Sequence, residues 1–119
     1  MLSFMTNYEP DLSLIFQALS DPTRRAVLAR LGQGSVAVTD LARPTGWALP
    51  TVMRHLAVLE QAGLIGSEKW GRSRICSLRP ETIDATAGWL SDLRAGWESQ
   101  TDRLELYVKT LMKEKPDDN

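Results

Sequence analysis

Between Glu81 and Lys115 no proline and no glycine cluster interrupts the chain, and Ile83, Leu90, Trp97, Leu104 and Leu111 recur every seven residues. A sustained seven-residue apolar repeat specifies one long helix and asks for another helix to cover its stripe. Leu93, Tyr107 and Val108 lie beside the same line. A chain of 119 residues offers few partners for five such rungs. Pairing with a second copy is the expected solution, since a stripe of this size seldom stays exposed on a monomer. The alternative is cover by the first helix of the same chain.

The rest of the chain is punctuated more tightly. Residues 11–19 read as a helix with Leu12, Ile15, Phe16 and Leu19 at helical spacing. Asp21-Pro22 caps and opens a second helix that runs to about Leu31, with Ala26, Val27, Leu28 and Leu31 expected to be buried. Thr39 is the expected cap of a short third helix holding Leu41 and Ala42, which Pro44 and Gly46 end. A fourth helix carries Pro50 in its first turn, buries Val52, Leu56 and Leu59, and stops before Gly63. Short helix, tight turn, second helix is helix-turn-helix spacing, here over residues 39–63. The extended runs Leu64–Trp70 and Ser73–Leu78, joined by Gly71-Arg72, read as a β-hairpin over 64–79. The expected fold is a single mainly α domain over 1–119, with about five helices, a hairpin wing and a long last helix over 81–115.

On the fourth helix Arg54 falls nearly opposite Val52, Leu56 and Leu59, with Pro50, Thr51 and Met53 spread around the same outer half. Those residue types suit a major groove. A guanidinium bonds guanine O6 and N7, a hydroxyl donates or accepts, and an apolar tip meets a thymine methyl. His55, the only histidine, lies nearer the buried side and fits either a phosphate contact or a structural hydrogen bond. The hairpin holds Lys69, Arg72 and Arg74 at its tip, placed for a DNA backbone or minor groove. Trp70 beside them is expected to pack beneath the wing, with a sugar contact as the alternative.

The net charge of −1 conceals how charge is placed. Residues 1–19 carry −2 and residues 81–119 carry −4, while residues 20–80 hold nine basic and four acidic side chains, a net +5. A basic middle fits a polyanionic partner. One cysteine excludes an internal disulfide framework and a multi-cysteine zinc site. Cys76 is expected to act as a small buried hydrophobe rather than a redox sensor. No apolar run approaches the ~20 residues of a membrane span, and MLSFMTNYEP has no basic n-region, so a cytoplasmic setting is expected. With no nucleophile–base pair, paired carboxylates or phosphate cradle in the sequence, an enzyme is not expected, and no motif calls for a cofactor or a metal.

Three separated blocks, "ALSDPTRRAVLARL" (18–31), "LPTVMRHLAVLEQAGLI" (49–65) and "GRSRICSL" (71–78), resemble the ArsR-like winged-helix transcriptional repressors of bacteria. The closing "GWLSDLRAGWESQTDRLELYV" (88–108) resembles the non-metal branch. The resemblance implies a homodimer bound to double-stranded DNA, with the fourth helix as reader and Leu12, Ile15, Phe16, Leu90, Trp97, Leu104, Tyr107 and Leu111 at the dimer interface. DNA contacts are then expected from Pro50, Thr51, Met53, Arg54, His55, Lys69, Arg72 and Arg74. Metal-sensing members carry Cys-x-Cys in the third helix, where this chain has "SVAVTDL" (35–41), and no His follows residue 55. Relatives often cap the reading helix with Ser, where this chain has Ala48-Leu49-Pro50. Losing that cap costs on the order of 1 kcal/mol. A winged-helix module that binds protein instead of DNA is the competing reading, favoured by apolar Leu49 and Met53. The chain carries no signature of a particular inducer.

Overall fold

The computed structural model describes residues 10–114. The chain divides into two units, the first ending at Thr86 and the second beginning at Ala87. In the first, α1 (Leu12–Leu19) is capped by Asp11, whose Oδ1 accepts from the Leu14 N–H at 3.2 Å. α2 (Pro22–Leu31) starts the same way, with Asp21 Oδ2 accepting from the Arg24 N–H at 3.0 Å and Pro22 in the first turn. Such caps satisfy N–H groups that no preceding turn can.

A strand that periodicity alone did not indicate follows. β1 (Val36–Ala37) pairs antiparallel with β3, Val36 opposite Cys76 and Ala37 opposite Ile75. The chain passes straight from β1 into α3 (Val38–Ala42), so Ala37 stands at the N-cap and Thr39 lies inside the helix rather than capping it. A 3-10 turn, Arg43–Thr45, ends at Gly46 with φ 71°. Thr45 ties this turn together. Its Oγ1 donates to the Ala42 carbonyl at 2.7 Å and accepts from the Trp47 N–H at 3.0 Å.

α4 (Leu49–Gln61) buries Val52, Leu56 and Leu59, as its stripe requires. It closes in a Schellman arrangement around Gly63 at φ 79°. The Leu64 N–H bonds the Leu59 carbonyl and the Gly63 N–H bonds that of Glu60, each at 3.0 Å. β2 (Ile65–Trp70) and β3 (Ser73–Leu78) form the hairpin, with Gly71 at φ 61° in its two-residue turn. Positive φ at the first of two turn residues matches the right-handed strand twist. The sheet order is β1-β3-β2.

The core gathers Ile15, Ala18, Leu31, Val36, Val38, Leu41, the α4 stripe, Leu64, Ile65 and Cys76. α2 contributes less than its apolar content suggests. Leu31 is buried and Val27 and Leu28 are half-buried, but Ala26 is exposed. The last helix, α5 (Pro80–Glu114), opens in the first unit with Thr82 and Thr86 buried and Ile83 packed on the core. From Ala87 to Lys113 every residue is exposed in the single chain. Its flanks carry the i,i+4 pairs Arg94–Glu98 at 3.3 Å and Glu105–Lys109 at 3.7 Å.

Candidate nucleic-acid interface

Because Val52, Leu56 and Leu59 hold α4 in the core, its outer face is set by geometry. Leu49, Pro50, Met53, Arg54 and Ala57 are exposed there, and Thr51 is half-exposed. No side chain caps the N-terminus of α4. Pro50 has no N–H there, and the Thr51 and Val52 N–H groups bond the Ala48 carbonyl at 3.0 and 3.3 Å. That end therefore favours phosphate chiefly through its positive dipole.

His55 is held from two directions. Arg24 Nη1 lies 3.4 Å from its Nδ1 and Asp21 Oδ2 lies 4.0 Å away. A guanidinium can only donate, so in the contact with Arg24 it is Nδ1 that accepts. The Trp47 ring tilts against the imidazole at 5.8 Å between centroids. His55 is therefore a half-buried joint between α2, the turn and α4. The Arg24 N–H bonded to Asp21 holds that carboxyl below its ordinary value of 3.8; partial burial opposes this, and the charges of Arg24 and His55 add to it.

In the wing, Lys69 pairs with Arg74 and Ser67 with Cys76 across β2 and β3. Side chains two apart share a face, so Lys69 and Arg74 stand on the face that presents Cys76 and Ile65 to the core. Arg74 Nη1 donates to Ser67 Oγ at 2.9 Å, and Ser67 donates in turn to Glu60 of α4 at 3.5 Å. Trp70 belongs to the opposite face. It is 67% exposed, its indole N–H reaching Glu68 at 3.4 Å, and it does not pack beneath the wing. Opposite Ser73, at the end of the hairpin, it has no larger side chain to lie under.

The basic middle segment is less free than its charge implies. Arg24 donates to the Ala18 and Gln17 carbonyls at 2.7 and 3.0 Å, and Arg25 to that of Leu19 at 2.7 Å, closing the C-terminal end of α1. Arg43 pairs with Asp40 at 2.8 Å. The side chains of Arg54, Lys69 and Arg72 make no hydrogen bond or ion pair among the described residues, and all three residues are exposed.

Of the residues expected at a dimer interface, Leu90, Trp97, Leu104, Tyr107 and Leu111 are exposed, Trp97 at 66%. Phe16 is partly exposed and Leu12 half-buried. Ile15 is fully buried in the protomer's own core and presents no surface to a partner. Ile15 and Ala18, three residues apart, share the inward face of α1. Cys76 is 2% exposed, and burial pushes its thiol pKa up, aided by Glu60 and opposed by Arg74. Among the described residues no three His, Cys, Asp or Glu side chains gather to hold a metal, and no helix is long and apolar enough to cross a membrane. Trp47 is the contributor that sequence patterning missed. A turn residue has no periodicity to mark it, and its position before the reading helix was the only signal.

A helix-turn-helix domain model matches residues 19–67. The chain is 41% identical over 70 residues to the HTH-type transcriptional regulator Rv2034 of Mycobacterium tuberculosis, covering 59% of this chain and 65% of that protein. It is 32% identical over 76 residues to the transcriptional repressor SdpR of Bacillus subtilis, covering 64% of this chain and 84% of SdpR. The crystal structure of the ArsR family transcriptional regulator RHA00566 is 47% identical, with a TM-score of 0.69 over 73% of this chain and 96% of that one. A solution structure of a homodimeric winged helix-turn-helix DNA-binding domain from Mycobacterium bovis is 25% identical. Its TM-score is 0.58, over 68% of this chain and 78% of that one.

Proposed function

The chain belongs to the ArsR family of helix-turn-helix transcriptional regulators, and from that premise we propose that it is a cytoplasmic homodimeric repressor without enzymatic activity or cofactor. α4 reads base edges in the major groove, with Arg54 and Thr51 forming the polar contacts and Met53 the apolar one. Pro50 sets the first turn against phosphate, and His55 seats the helix on α2 with its Nε2–H available to a phosphate oxygen. Lys69, Arg72 and Arg74 follow the backbone or minor groove, where charge adds affinity without sequence information. Exposed Trp70 suits a deoxyribose face beside them.

Dimerisation comes from the α5 stripe of Leu90, Trp97, Leu104, Tyr107 and Leu111, with Leu12 and Phe16 of α1 as a second surface. Two reading helices related by a two-fold axis then address successive major grooves about 34 Å apart.

The observation that carries this reading is Arg54, unpaired on the outer face of a helix whose inner face is locked in the core. A mobility-shift titration on DNA upstream of the gene tests it. Binding that falls steeply between about 50 and 200 mM salt is expected. No binding at low salt overturns it in favour of a protein-interaction module.

A further inference from the structure

A groove of about 410 Å³ lies between α2 and the turn that feeds α4. Ala26, Val27 and Arg30 form one wall, and Leu41, Pro44 and Trp47 the other. The groove exists because Ala26 is small. Helical periodicity expects that position to be filled and buried, yet its methyl stays exposed. The volume is within the roughly 300–1,000 Å³ of small-molecule sites, which are mostly apolar with a few directing polar groups.

Two charged groups beside the groove decide what it accepts. Asp40 is already engaged by Arg43 at 2.8 Å. The Arg30 side chain makes no hydrogen bond or ion pair among the described residues. The uncompensated charge is therefore one guanidinium, whose planar fork matches a carboxylate. Trp47 and the small aliphatic wall opposite it leave a slot suited to a flat ring. We propose that this groove binds a small planar aromatic carboxylate, its ring between Ala26, Val27 and Trp47 and its carboxylate on Arg30.

An occupant would touch both α2 and the entrance to α4. The Trp47 N–H is bound to Thr45 at 3.0 Å and its ring lies 5.8 Å from that of His55. A ligand that wedges these walls biases how α4 is presented, and so is thermodynamically linked to whatever α4 binds. That linkage rests on the DNA-binding reading above; the ligand site does not.

The test titrates the full chain with 2-naphthoate by calorimetry, with 2-naphthamide as the uncharged control and the Trp47 indole N–H followed by NMR. Saturable naphthoate binding that moves the Trp47 signal is expected. Arg30→Gln should weaken it about tenfold, the loss of a charge-assisted pair. Ala26→Phe, which fills the groove, should abolish it. Arg30→Gln changes only an exposed side chain, so it decides the matter even if Ala26→Phe fails to fold. Absence of saturation, equal binding of the amide, or binding indifferent to Arg30→Gln overturns the site. So does an Arg30→Gln chain that loses DNA affinity with no probe present, because the cation then serves phosphate. Saturating naphthoate should change DNA affinity by about fivefold or more, and an unchanged affinity overturns the linkage. A chain that binds naphthoate but no DNA removes the DNA reading and leaves the ligand site standing.

Discussion

Arg24 Nη1 stands 3.4 Å from His55 Nδ1, joining α2 to the reading helix across 31 positions of sequence. The same guanidinium closes the last turn of α1 through Gln17 and Ala18. One side chain thus ties three helices to one another.

Arg24→Met should remove these bonds and leave α1 carbonyls with fewer partners. A loss of about 1–3 kcal/mol is expected in urea denaturation. Arg25→Met, which breaks one exposed bond to Leu19, should stay within about 0.5 kcal/mol of the parent. Equal effects would mean that the additional contacts of Arg24, the one with His55 included, add nothing.

Arg54→Ala should reduce discrimination between operator and random DNA by about 1–3 kcal/mol, measured by competition binding. Lys69→Ala and Arg72→Ala should instead weaken both DNAs alike and each lower the salt slope by about 1. If Arg54→Ala behaves like the wing variants, Arg54 touches phosphate only.

Trp97→Asp puts a carboxylate in the middle of the exposed α5 stripe. Sedimentation should then show a shift towards monomer with helical content retained. A dimer of parental strength would take this rung out of the interface.

Cys76→Ser buries a hydroxyl where a thiol now packs, with an expected cost of about 1–3 kcal/mol. Because burial raises the thiol pKa, the native protein should be alkylated slowly at neutral pH and quickly once unfolded. Rapid labelling of folded protein would contradict the packing of β3 on the core.

Asp21 supplies a pH signature. Its pKa is lower folded than unfolded, chiefly through the Arg24 N–H. Its contribution is therefore complete above the ordinary value of 3.8 and is lost as pH falls through the lower folded value. Asp21→Asn keeps a capping oxygen but no charge, so its acid unfolding curve should be shallower than the parent's below about pH 4. Parallel curves would show that Asp21 does not titrate with folding.

Local rules were legible wherever neighbours a few residues apart decide the outcome. The Asp21-Pro22 helix start, the Val52–Leu56–Leu59 stripe, the Gly63 stop, the Gly71 turn and the heptads of α5 all follow from helical or strand periodicity and terminal hydrogen bonds. Arg54 was placed on the outer face by the same arithmetic. Tertiary structure decided what depends on distant partners. β1 is two residues long and exists because Val36 and Ala37 meet β3, a join that the hydroxyls of Ser35 and Ser77 bridge at 2.6 Å across 42 positions. The same distant packing enclosed Ile15, left Trp70 outside the core, committed Arg24 and Arg25 to α1, and opened a groove beside Ala26. Periodicity says which face of an element is apolar; only the assembled neighbours decide which residues on that face are covered and which cations remain free.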